Sequence, residues 1–262
     1  MSDNRQLFDV GRIGREYIMS NGSWDDQVPE EMTAPCVRFF KDYLSLWEYI
    51  LFVPALVRRA SKEYDVVRLK YKTYYQLLWQ MWLCRAVDGF LVYVSELLAL
   101  IFNTFPDAMK AHEKTERFNL EVVLKYDTKE DIIKAIAEDI VNTLSYKSMR
   151  DINKYLSERF NFALFTTDEH LDRAFLLNEI RNLIVHNRSV VNRIFLEKLP
   201  DSKFEEGEVI DLKGESIFYD IEFLGNCVAD IDIRASDIFS LERPYTRDDL
   251  PGISDFSFLE ED

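Results

Sequence analysis

The stretch "VVRLKYKTYYQLLWQMWLCRAVDGFLVYVSELLALIF", residues 66–102, carries one long helical pattern with no proline and a single interior glycine. Gly89 weakens such a helix by roughly 1 kcal/mol relative to alanine, and it offers a place for a close helix contact. Pro106 closes the pattern, because proline cannot continue a helix. The aromatic run at 71–82 is interleaved with Leu77, Leu78, Met81 and Leu83, so it reads as core packing and not as a base-stacking platform. The most apolar window, residues 89–105, has Glu96 near its centre. A carboxylate there suits a buried helix and not a membrane span.

Working outward, the neighbouring text keeps the helical period. "VRFFKDYLSLWEYILFV" (37–53) repeats apolar residues at i, i+3, i+4 and i+7, and Pro54 is expected to kink or end it. Downstream come "LEVVLKY" (120–126), then 128–146 with Thr128 and Asp131 as a weakened capping box. Residues 147–160 are amphipathic again, and 166–187 open with Thr167 or Asp168 as cap. A short segment at 190–199 precedes strand or turn signals around 208–212, and 216–239 is helical by period. These elements predict an all-α, up-and-down helical bundle with extra helices and at most one short β-hairpin. The expected organisation is an irregular N-terminal segment (1–34), a single helical domain (35–240) and an acidic C-terminal tail (241–262), which holds seven acidic and two basic residues.

Composition narrows the class further. The 262 residues are 47% hydrophobic and 14% aromatic, enough for a packed core, while only 8 glycines and 7 prolines disfavour many-turned β architectures. The net charge of −15 repels nucleic acid at long range, so any RNA contact has to be local. The most basic window, 58–72, has six basic residues against two acidic ones; it offers a surface for RNA contact, with a solvated helical face as the default reading. Cys36, Cys84 and Cys227 are far apart and lack zinc-ligand or disulfide spacing. With no apolar run at the start of the sequence, the expected home is the cytoplasm, away from membranes. "GRIG" (11–14) lacks the preceding strand and third glycine of a phosphate loop.

One further stretch carries chemistry: "NEIRNLIVHNRSVVN", residues 178–192. On a helix Asn182 and His186 share a face. Arg181 lies about 140° from His186 around the axis, and its long side chain can swing toward the same side. Leu183, Ile184 and Val185 hold the turn against the core, and Asn187 is placed to end the helix in the left-handed conformation. No serine elbow, nearby cysteine or second histidine at metal spacing accompanies the set; His112 and His170 are isolated. A histidine titrating near neutrality beside a guanidinium suits phosphodiester cleavage in RNA, with the 2′-hydroxyl as internal nucleophile. The arrangement calls for no metal or other cofactor. One histidine cannot be both acid and base in one step, so a symmetric homodimer with two helix ends facing each other would complete the site. The structural alternative is a helix end in which Arg181 pairs with Glu179 or Asp172.

Arg181-Asn182-Leu-Ile-Val-His186 resembles the R-x4-6-H motif of the HEPN superfamily. The flanks at 87–102, 144–156, 181–198 and 222–239 are similar to a bacterial HEPN-like branch related to the RiboL-PSP-HEPN and abortive-infection groups. The resemblance implies a HEPN-type bundle, dimerisation along the motif helices, and metal-independent RNA cleavage leaving a 2′,3′-cyclic phosphate. It also implies service as a toxin or phage-defence effector, with an antitoxin or defence-system partner. By position, Arg181 and His186 would be catalytic and Asn182 auxiliary, with Asn187 and Arg188 beside them as substrate contacts. An acidic residue on an earlier helix often faces the motif in the family; Asp88 and Glu96 are both candidates. In one branch a tyrosine stands two residues after the histidine and is modified. Here that position is Arg188, suited to holding phosphate instead. The second reading is a non-catalytic HEPN module that binds a nucleotide, an RNA or a protein partner.

Overall fold

The structure, a computed structural model, describes residues 27–105, 125–145 and 147–252. Helix α1 (Ala34–Glu63) begins where the Thr33 hydroxyl accepts the Cys36 N–H, with Pro35 in the first turn where its missing donor costs nothing. The helix continues through Pro54, so of the kink or stop expected from sequence the stop does not occur. Proline breaks a helix by removing one backbone donor and crowding the preceding turn. Here the Tyr75 hydroxyl donates to the Pro54 carbonyl at 3.3 Å, and packing against the next helix sustains the element.

Only Tyr64, in extended conformation, separates α1 from α2 (Asp65–Thr104), a 40-residue helix about 60 Å long. Three contacts set the pair as an antiparallel hairpin: Arg38 with Glu96, Asp42 with Arg85, and Pro54 with Tyr75. The predicted span of 66–102 matches α2 closely. Among the described residues, Thr73–Thr104 is the one segment apolar and long enough to cross a membrane, and half of its most apolar window is buried in the protein. Phe90, Tyr93, Val94, Leu97, Ile101 and Phe102 are among its core residues.

Helix α3 (Lys129–Ser145) is capped by Thr128 as expected, with the Asp131 N–H donating to the threonine hydroxyl at 3.1 Å. Helix α4 (Met149–Phe160) starts from a full Ser148/Asp151 capping box, and α5 (Asp168–Asn187) starts from Thr167. A short α6 (Arg193–Lys198) and the long α7 (Gly214–Phe239) complete the set. The seven helices among the described residues make an all-α fold. α2 is its hub, packed by α1, α3, α5 and α7. The close helix approach is not at Gly89, where an added Cβ would meet the Phe39 ring only at 3.8 Å. It is at Gly225 of α7, where a Cβ would fall 2.7 Å from the Tyr43 hydroxyl.

The flanks expected to be irregular take part in the fold. Strand β1 (Glu31–Met32) pairs antiparallel with β2 (Tyr245–Thr246), joining the two ends of the domain instead of forming a hairpin. Met32 and Leu241 are buried, and Arg247 donates to the Val28 carbonyl at 2.9 Å. The strand signals near 208–212 yield only an isolated bridge between Val190 and Val209. Residues 1–26 with "GRIG", residues 106–124 with His112 and most of "LEVVLKY", and the last of the acidic tail lie outside the described residues, as do several side chains of the 58–72 window.

Candidate functional site

The end of α5 is built by a tight reversal. The N–H groups of Arg188 and Ser189 both return to the Leu183 carbonyl. The left-handed conformation falls on Arg188 and Ser189, with φ of 54° and 64°, and not on Asn187 as the sequence suggested. Asn187 stays helical because its side-chain amide clasps the turn by donating to the Val190 carbonyl. Ser189 is held in its unusual conformation from three sides: its buried hydroxyl accepts from Gln80, its carbonyl accepts from the Ile210 N–H, and its own N–H is bound. Such backbone persists only where its surroundings over-determine it.

One to two turns earlier sits Arg181. Its Nε and Nη2 both lie 2.8 Å from a single Asp88 oxygen, and its Nη1 donates to the Asn182 amide oxygen at 3.1 Å. The guanidinium is therefore pinned in plane by α2 and by its own neighbour. Two of its five N–H donors remain for another acceptor. The structural partners considered from sequence are engaged elsewhere: buried Glu179 accepts from Lys198 at 2.7 Å, and Asp172 accepts from Arg150 at 2.7 Å.

The two acidic candidates of α2 separate. Asp88 joins Arg181, whereas Glu96 accepts from Arg38 of α1 at 3.0 Å. Eight residues turn a helix by about 80° beyond two full circles, and that offset sends the second carboxylate to the other neighbour. His186 is exposed on the outer side of the α5 end, and Arg188 is exposed beside the turn. Neither side chain makes a hydrogen bond or ion pair among the described residues. No hydrogen bond joins Arg181 to His186 within one chain. Asn182 and Asn187 are half-buried.

The sequence reading found no cysteine near the motif, yet Cys84 stands one turn before Asp88 on α2. Burial pushes its thiol pKa up, the Asp88 charge adds to that, and the Arg181 charge opposes it. The signal was present as the i, i+4 spacing of Cys84 and Asp88, but only the packing of α2 on α5 gives it a neighbour. The contacts Asp88–Arg181 and Gln80–Ser189 set α2 and α5 antiparallel. Exposed Val185 consequently stands level with Cys84, and exposed Met81 and Leu77 continue an apolar stripe along α2. His170 packs edge-on against Phe223, with ring centroids 5.5 Å apart. Among the described residues no group of three or more histidine, cysteine or acidic side chains is gathered as a metal site needs. Comparison with protein-family models, with curated proteins and with solved structures finds no match to this chain.

Proposed function

We propose that this protein is a metal-independent RNA endonuclease of HEPN type that works as a homodimer, in the role of a toxin or phage-defence effector. The observation that carries the reading is the clamp on Arg181. A guanidinium held by Asp88 and Asn182 is oriented before substrate arrives, so its two remaining donors meet charge on a phosphorane without reorganisation. Unpaired, exposed His186 lies at the same helix end.

In the proposed reaction the RNA 2′-oxygen bonds to phosphorus and the bond from phosphorus to the 5′-oxygen breaks. One His186 takes the 2′-hydroxyl proton, and His186 of the partner subunit, in its protonated form, gives a proton to the leaving oxygen. The products are a 2′,3′-cyclic phosphate and a 5′-hydroxyl. The apolar stripe of Leu77, Met81 and Val185 beside the site supports contact with a second copy of this chain, because it leaves oily surface in water next to the half-site. Asn187 and Arg188 border the phosphate position.

The test uses purified full-length protein and a fluorogenic RNA in EDTA. His186→Ala is expected to lower cleavage by about 100-fold or more, with helicity and dimer mass unchanged, and to relieve growth arrest on induced expression. Equal cleavage by wild type and variant would sink the ribonuclease reading. The net charge of −15 favours the second reading, a non-catalytic module for a nucleotide, an RNA or a protein partner. RNA binding by the wild type without any cleavage would select it.

A further inference from the structure

We propose that the groove between α1 and α2 is a second RNA subsite, which holds the strand on one side of the scissile phosphate; this rests on the ribonuclease reading above. The groove encloses about 330 Å3 and is lined by Arg38, Lys41 and Arg85 against Asp42 and Glu96. On a chain of net charge −15 this is a local excess of cations. It adjoins the Arg181 site through α2 itself. Asp88 and Arg85 are three residues apart on that helix, and exposed Val92 continues the face between them and Glu96.

The chemistry of the walls suits phosphate. Arg85 meets Asp42 through Nη2 alone, and Arg38 meets Glu96 through Nε alone. Each guanidinium has five donors, so each retains several for a phosphate oxygen without giving up its carboxylate. Both pairs are largely exposed, where an ion pair contributes little and exchanges readily. Lys41 has no hydrogen-bonding or ionic partner for its ammonium among the described residues. The floor is aromatic. Phe39, buried at 7% exposure, stacks on Tyr43 with centroids 5.5 Å apart and closes the floor under the cationic rim. The rim cations therefore track the backbone phosphates of the strand, the sequence-tolerant part of single-strand binding. The basic window at 58–72, the surface suggested by sequence, is not needed for this role.

The experiment measures fluorescence anisotropy of a short labelled single-stranded RNA with 2′-O-methyl groups, which binds but cannot be cleaved, across a sodium chloride titration. The full-length triple variant Arg38→Gln, Lys41→Gln, Arg85→Gln is compared with wild type. Removing three phosphate contacts at a slope of about −0.7 each lowers the salt slope by about 2 and the affinity about 100-fold near 0.1 M salt. Lys41→Gln alone is expected to lower the slope by about 0.7, and keeps the test open if the triple variant folds poorly. A control, Lys129→Gln, Lys134→Gln, Lys203→Gln, removes the same charge outside the groove and is expected to bind nearly as wild type. Wild-type slope in the triple variant, or equal loss in the control, overturns the groove while leaving the ribonuclease reading in place. Failure of wild type both to bind this RNA and to cleave its natural counterpart overturns the two together.

Discussion

Asp232 is a fully buried carboxylate of α7 whose contacts are hydroxyls, a thiol and a backbone N–H, with no direct ion pair among the described residues. One oxygen accepts the Thr33 hydroxyl at 2.6 Å and the Tyr93 hydroxyl at 3.3 Å; the other accepts the Thr33 N–H at 3.1 Å. These bonds tie the start of α1 and the middle of α2 to α7. Asp232→Ala orphans the two Thr33 donors, each at about 1–3 kcal/mol, while the Tyr93 hydroxyl keeps the Val228 carbonyl 3.4 Å away, and removal of a buried charge offsets part of the loss. The expected net loss is about 3–5 kcal/mol, or roughly 10 °C in Tm. Asp232→Asn keeps one acceptor oxygen for the hydroxyls but turns its amide toward the Thr33 N–H, donor against donor, and should cost about 2 kcal/mol.

The pH dependence supplies a second check. Burial raises the Asp232 pKa, against the lowering effect of the Thr33, Cys36 and Tyr93 hydrogen bonds. A carboxyl with a raised folded-state pKa binds more protons folded than unfolded between the two values. Its contribution to stability is therefore complete below the unfolded pKa of about 3.9 and is lost as pH rises through the folded one. Urea unfolding of wild type and Asp232→Asn, from mildly acid to neutral pH, should show the wild-type advantage growing toward acid. A flat difference, an advantage growing toward alkali, or a near-neutral Asp232→Ala would refute the reasoning.

Other outcomes follow from the site and the core. Asp88→Ala should cost about 1 kcal/mol of stability or less, since the pair is partly solvated. It should nevertheless lower kcat for RNA cleavage by about 100-fold, the cost of losing an oriented charge, with Asp88→Asn recovering much of it because Oδ1 alone receives both arginine donors. The same substitution removes a charge that raises the Cys84 pKa, so iodoacetamide should label Cys84 faster than in wild type at neutral pH. Arg188→Gly relaxes a left-handed residue and should stabilise the protein by about 0.5–1 kcal/mol in urea unfolding while weakening RNA binding, two effects of opposite sign. Gly225→Ala drives a methyl against Tyr43 and should lower stability by about 1–3 kcal/mol by thermal unfolding, whereas Gly89→Ala should be tolerated or stabilising.

The helices were legible from sequence because their signals are local. Thr128, Thr167 and the period of 66–102 act within a turn or two of themselves, and the structure places α2, α3 and α5 within a few residues of the spans expected. The motif at the end of α5 was legible for the same reason, since Arg181, Asn182 and His186 lie within two turns of one helix. Pro54 does not end α1 because its cost is local and fixed, whereas what offsets it is packing from another helix. The choice between Asp88 and Glu96 lay beyond any reading of spacing, because it depends on which neighbour covers each side of α2. The partner of Arg181 stands 93 residues away in sequence, and the strand partner of β1 comes from the opposite end of the domain. Periodicity and caps thus determined which segments are helices and which residues ride together on one. Only the packing of α1 and α5 against α2 decided which charges meet, because contacts between distant segments depend on the angle and register at which whole helices pack.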